Sequence, residues 1–339
     1  MSKANLTAVP KAHPTANGST ISAPRAIDRT MTRGFLRQTV LFLLIGLALY
    51  LAVYALADQL LYQTTKRNRF FAVKTAPHTE YDVVLLGASH AAVFDYEDMN
   101  ARLEQMTGKK IINLSVVGGG VTVNRLLLDY FLAQRRTQTV LYFTDSFAFY
   151  SKAWNEDRLQ DVRLLDRAPF DLTLAQILIQ NPSSRSVALD YLLGFSKINN
   201  PDRFKTDVTD DEATKFKNTY RPVKQIDTQR LEYLYPKQMD QAVFRHYLGE
   251  FEDLIRHLRQ RNIRLVVVKP PIPARFYNML PNERQFDEAL KPVLAQNGAE
   301  FRDWSLVDND EKFFFNPDHL NRNGVLNFFE SRLKEILAR

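Results

Sequence analysis

Residues 83–86 (VVLL) form an apolar run that stops abruptly at Gly87-Ala88-Ser89-His90. Four apolar residues closed by glycine read as a buried strand entering a tight turn. In an open α/β sheet, ligands bind beyond the carboxyl ends of the strands, so a serine in this turn is well placed for chemistry. A serine becomes a useful nucleophile only beside a base. Far downstream, in residues 313–329 (FFFNPDHLNRNGVLNFF), His319 stands at the start of the last amphipathic helix and supplies that base.

Between these two points, strand-like and helix-like patterns alternate. Strands are expected at 83–87, 109–114, 139–146, 263–271 and 299–305, with helices at 95–107, 122–133, 238–261, 282–297 and 322–337. In the 238–261 helix, Val243, Tyr247, Phe251, Leu254 and Leu258 fall on one stripe. Strands separated by helices of this length imply a parallel sheet joined by right-handed crossovers. The expected fold is a three-layer α/β/α, doubly wound parallel sheet of flavodoxin-like type. Residues 147–237 break the alternation and read as an insertion over one face, with helices near 172–181 and 184–195 and a charged, Tyr-dotted remainder. Its first segment, 147–154 (FAFYSKAW), reads first as core packing, then as a lid or a membrane-surface contact.

Ahead of this domain, residues 39–57 carry no charge. Nineteen helical residues at about 1.5 Å each nearly match a hydrocarbon core of about 30 Å. The expected organisation is a disordered basic tail over 1–34, a transmembrane helix over 35–60, a linker over 61–80 and the α/β domain over 81–339. The net charge of +7 and pI near 9.4 are read as membrane-flanking charge. No nucleic-acid-binding signature is present, so no nucleic-acid partner is expected. The chain has no cysteine, which excludes disulfides, thiolate metal sites and a cysteine nucleophile.

Four blocks together resemble the SGNH, or GDSL-like, hydrolase superfamily: LLGASH (85–90), INLSVVGGG (112–120), YFTDSF (142–147) and NPDHLNRNG (316–324). The likeness covers roughly residues 81–335 apart from the insertion. It is nearest to membrane-anchored SGNH-like proteins of bacterial cell-surface polysaccharide modification. It implies that Ser89 attacks an acyl carbonyl, that His319 carries the proton, and that backbone N–H groups of Ser89 and the Gly118, Gly119 and Gly120 turn hold the oxyanion. The chain departs from the pattern at several points. Ala88 replaces the first block's Asp, and the third block lacks its Asn donor. The position three before the histidine is Asn316, while Asp318 is adjacent to it. The third triad member is therefore Asp318, Asn316 or absent. His90 reads as a wall residue, with nothing clustering around it to make a metal site, and no metal or cofactor is expected.

The resemblance implies a membrane-anchored acyl esterase or O-acyltransferase acting on a cell-envelope glycan or another acyl ester, with an acyl-Ser89 intermediate. Its partners would be the lipid bilayer and a membrane acyl-donor protein. Arg25, Arg29, Arg33 and Arg37 before the apolar run are balanced by Lys66, Arg67, Arg69 and Lys74 after it, so charge does not fix the orientation. The family's habit sets the catalytic domain on the periplasmic side of the inner membrane. A catalytically silent scaffold of the same kind is the alternative, favoured by Asn316 and the missing third-block Asn. A phosphate loop at VVGGGVTVN is a third reading, weakened because GxGxxG is not satisfied and no Lys-Ser/Thr pair follows.

Overall fold

The structure is a computed structural model that describes residues 29–65 and 67–338. The expectation for the first 28 residues lies outside them. The chain divides into two compact units, residues up to Ala52 and Val53–Arg339. In the first unit a single helix starts at Arg29, and it continues to Thr64 in the second. No proline interrupts those 36 residues, so the helix outruns its charge-free centre at both ends. From Arg33 to Thr64 it is long and apolar enough to cross a membrane. Phe35, Phe42 and Leu49 are exposed along it.

The second unit is built on a five-stranded sheet of order β2-β1-β3-β4-β5, parallel throughout. The strands are β1 (Glu80–Leu86), β2 (Ile111–Asn113), β3 (Arg136–Phe143), β4 (Arg264–Lys269) and β5 (Glu300–Asp303). Successive side chains alternate between the faces, so each strand feeds two cores. Val84, Leu86, Val140, Tyr142, Leu265 and Val267 pack on one side with the Val121–Leu132, Gln241–Gln260 and Glu283–Gln296 helices. Val83, Leu85, Leu141, Phe143, Val266 and Val268 pack on the other with Met99–Thr107 and Arg322–Phe328. This is the three-layer α/β/α arrangement read from the sequence.

The long Gln241–Gln260 helix shows how pattern becomes structure. Asp240 caps it by accepting the Ala242 N–H at 2.7 Å, and Phe244, Tyr247, Phe251, Leu254 and Leu258 bury one stripe. Three expectations shift. β3 starts three residues early, because Arg136 and Thr137 pair with the start of β1, and it ends at Phe143. The last helix passes through a π-helical turn at Phe329–Leu333. The charged remainder of the insertion holds a helix, Lys224–Leu234, that buries only Asp227 and Leu234 and so shows no apolar stripe in sequence. Residues 147–154 start as core: Tyr150 stacks on Phe244 at 4.7 Å, and Phe149 meets Phe286 at 5.1 Å.

Connections from β1 run one way to β2, and the chain then crosses back over β1 to reach β3. The order therefore reverses between β1 and β3, opening a crevice at their carboxyl ends where this class of sheet holds its ligands.

Candidate active site

Ser89 is the third residue after β1 and opens the short Ser89–Ala92 helix at that crevice. Gly87 makes the turn with φ of +140°, and a Cβ there would fall 2.7 Å from the Phe143 carbonyl oxygen. Only glycine fits such a position. Its N–H donates to Asn124 Oδ1 at 2.8 Å and its carbonyl accepts the Val116 N–H at 3.1 Å, so the turn is held on both sides.

His319 is delivered by a loop whose shape Asn316 sets. The Asn316 side-chain oxygen accepts the backbone N–H of His319 at 2.8 Å and of Asp318 at 3.2 Å, an Asx turn over Pro317. The same oxygen lies 3.0 Å from His319 Nδ1, and Asp318 Oδ1 lies 3.1 Å from that nitrogen. Asn316 and Asp318 therefore share the ring nitrogen. The adjacent aspartate does fold back, because the Asx turn bends the backbone between them.

His90 stands at the centre of the cluster, correcting its reading as a wall residue. Its Nδ1 is 2.7 Å from Asp145 Oδ1, beyond β3, and its Nε2 is 3.4 Å from Asp318 Oδ2. Its ring lies 4.6 Å from that of His319, tilted by 33°. His90, Asp318 and His319 present ligand-type atoms within 4.8 Å of one another. Those groups are already committed to one another and to Arg230, which donates to both Asp318 oxygens at 3.0 Å. A cation among them would face the guanidinium and a charged imidazole.

Burial alone would pull the His90 imidazole down, but the Asp145 and Asp318 carboxylates outweigh it and raise it to about 10. His90 is thus an imidazolium at neutral pH. Burial alone would likewise raise Asp318, yet Arg230 first, then His319 and His90, hold it well below the usual carboxylate range. Asp318 and His319 are fully buried, while Ser89 and His90 are 5% and 6% exposed. The adjoining cavity of about 30 Å³ is lined by His90, Asp145, Tyr235, Lys269, Glu283 and Asp318 among others. It is water-sized.

His319, Asp318 and Asn316 meet as one neighbourhood against His90, the residue after Ser89, but two expectations fail in detail. His319 Nε2 is buried without a hydrogen-bond partner, so the Ser89–His319 bond is not formed here. The ring is held instead by His90 and by Phe315, 5.7 Å away. Gly119 and Gly120 are not free oxyanion donors: their N–H groups go to the carbonyls of Val116 at 2.8 Å and Trp154 at 2.6 Å. Gly118 lines a separate surface cleft with Arg69, Arg158 and Tyr233.

Arg230 and Asp145 were missed as site residues. Asp145 carried a faint signal, since it follows β3 at the point of reversal. Arg230 carried none, because nothing local separates it from any other arginine on a polar helix.

No family model matches the chain, and no curated protein does. Among solved structures it is similar to a protein assigned as an acylhydrolase from Bacteroides fragilis, at 9% identity and a TM-score of 0.40, over 81% of this chain and 98% of that one. It is also similar to a GDSL-like lipase from Bacteroides thetaiotaomicron, at 8% identity and 0.41, over 80% and 97%. A third is a protein assigned as a platelet activating factor from Streptococcus pneumonia, at 12% identity and 0.42, over 84% and 97%. Likeness at this level transfers no residue role, so each role rests on the geometry of this chain.

Proposed function

We propose that the protein is a serine acyl esterase or O-acyltransferase in which Ser89 forms the acyl-enzyme. The observation that carries this reading is the His319 ring, its Nδ1 held by Asp318 and Asn316, packed 4.6 Å from that of His90, the residue after Ser89. In the reaction, His319 Nε2 takes the Ser89 hydroxyl proton as Oγ attacks the ester carbonyl, and returns it to the leaving alcohol. Water or an acceptor hydroxyl then releases the acyl group by the same route. Asp318 stays ionised and supports the imidazolium. With Gly119 and Gly120 engaged elsewhere, the oxyanion falls to other donors.

The adjoining cavity is too small for an acyl ester, so substrate binding requires movement of a covering element. The Lys224–Leu234 helix, tied down through Arg230, is that element. The anchor reading is supported by the Arg33–Thr64 helix. We take it as an inner-membrane anchor with the catalytic domain periplasmic, a membrane acyl-donor protein as partner and a cell-envelope glycan as acceptor, on the order of the four sequence blocks. A catalytically silent scaffold is the second reading. It is favoured by the Arg230 clamp on Asp318 and the unformed Ser89–His319 bond.

Intact mass after incubation with p-nitrophenyl acetate separates the two. The expected result is one acetyl adduct that is lost in Ser89→Ala, with turnover falling on the order of 10⁴-fold in Ser89→Ala and in His319→Ala. A folded protein with no adduct, or an adduct that survives Ser89→Ala, overturns the esterase reading.

A further inference from the structure

The insertion carries two consecutive helices that are apolar on both sides. In Arg185–Leu193, Val187, Ala188 and Tyr191 are buried, yet Leu189 and Leu193, four residues apart, are 63% and 52% exposed. In Leu172–Gln180, Leu174, Ala175 and Leu178 are buried, while Leu172 is 71% exposed. Phe195 continues the outward face at 62% exposed.

This face is joined to the end of the apolar helix. Gly194, between Leu193 and Phe195, lies so close to Tyr54 that a Cβ would fall 2.4 Å from its ring. Phe170, two residues before Leu172, meets the same ring edge-on at 5.9 Å, and Tyr54 donates to the Tyr191 carbonyl at 3.1 Å. Tyr54 belongs to the last turn of the charge-free run 39–57. Whatever packs on it lies at the depth where that run ends. The first charge after the run, Asp58, is neutralised by Lys197, itself 2% exposed, at 2.6 Å. The junction is thus built without a free charge, and tyrosine is a residue that favours the membrane–water interface.

We propose that Leu172, Leu189, Leu193 and Phe195 form a lipid-contact face that seats the α/β domain on the bilayer surface. The proposal rests on the reading of the helix as a membrane anchor. Apolar side chains at interfacial depth, with exposed Arg185 at the rim for anionic headgroups, are the chemistry of an in-plane membrane contact.

The absence of native cysteine gives a direct test. Leu189→Cys, Phe195→Cys, Leu306→Cys and Leu44→Cys are each labelled with an environment-sensitive fluorophore in the full-length protein. Each is reconstituted in vesicles of phosphatidylethanolamine and phosphatidylglycerol carrying a doxyl lipid. Leu306 is a control, 51% exposed and outside the insertion, and Leu44 reports the anchor. The expected result is quenching by doxyl lipid at 44, 189 and 195 several-fold stronger than at 306, with iodide quenching in the reverse order. Quenching at 44 but not at 189 and 195 overturns the lipid face and leaves the anchor intact. No lipid quenching at any site overturns both. Labels at 189 and 195 shielded from iodide but untouched by doxyl lipid also overturn the proposal, because a second protein surface then covers the face.

Discussion

Two buried charge clusters lie side by side at the carboxyl ends of the strands, and they are finished differently. Around Lys269, the ammonium meets Glu283 at 2.6 Å and Asp287 at 2.8 Å, and Ser146 bonds Glu283 at 2.5 Å and Tyr235 at 2.6 Å. None of these side chains leaves a buried polar atom without a partner. Around Asp318, by contrast, Arg230, His90 and His319 crowd one carboxylate, and His319 Nε2 is left buried and unpaired. Leaving a buried donor or acceptor unpaired costs about 1–3 kcal/mol. A satisfied network holds the fold together, whereas an unsatisfied one beside a serine is a cost that chemistry can recover when substrate arrives.

The sharpest way to break this contrast is at the carboxylate. Asp318→Asn should lower turnover roughly 10²–10⁴-fold, since it removes the charge that supports the His319 imidazolium. Asn316→Ala should cost less, roughly 10-fold to 10²-fold, because it removes one contact to Nδ1 together with the acceptor of the two backbone N–H groups that shape the loop. The two variants assayed together decide the third-member question, and a larger loss in Asn316→Ala would reverse the assignment. In the neighbouring cluster, Lys269→Met should destabilise the domain by about 3–5 kcal/mol, because it strands two buried carboxylates. Denaturant melts read that loss, and an unchanged midpoint would end its description as the structural cluster.

The smallest expected effect is a pH dependence of stability. Folded His90 titrates near 10, against an ordinary value of about 6.5. Its proton therefore contributes fully below about 6.5, and the contribution is lost as pH rises through about 10. Asp318 behaves oppositely: its contribution is present above about 3.9 and lost only in strong acid. Thermal melts from neutral pH upward should show a falling midpoint that flattens in His90→Gln. A midpoint equally steep in that variant would remove His90 as its source.

Two residues of the candidate site are marked by local patterns in the sequence. Ser89 was marked by the apolar run closed by Gly87, and His319 by its position at the head of the last helix. What failed was the assignment of partners. Gly119 and Gly120 look like ligand-binding glycines, yet their N–H groups are spent on Val116 and Trp154. His90 looked incidental because its two carboxylates come from positions 145 and 318. The Lys224–Leu234 helix escaped notice because ion pairs hold it, not an apolar stripe: Arg230 to Asp318 and Arg275 to Asp227.

The sequence alone determined the alternation of strands and helices, the apolar N-terminal helix and the two poles of the site. Each is a local pattern of hydrophobicity, glycine or capping that a short window contains. Only the tertiary structure decided which charges share Asp318, which amides are already engaged and which apolar side chains are left facing outward. Those outcomes depend on packing between separate elements, as for Arg230 and Asp318, 88 positions apart, and no local pattern encodes them.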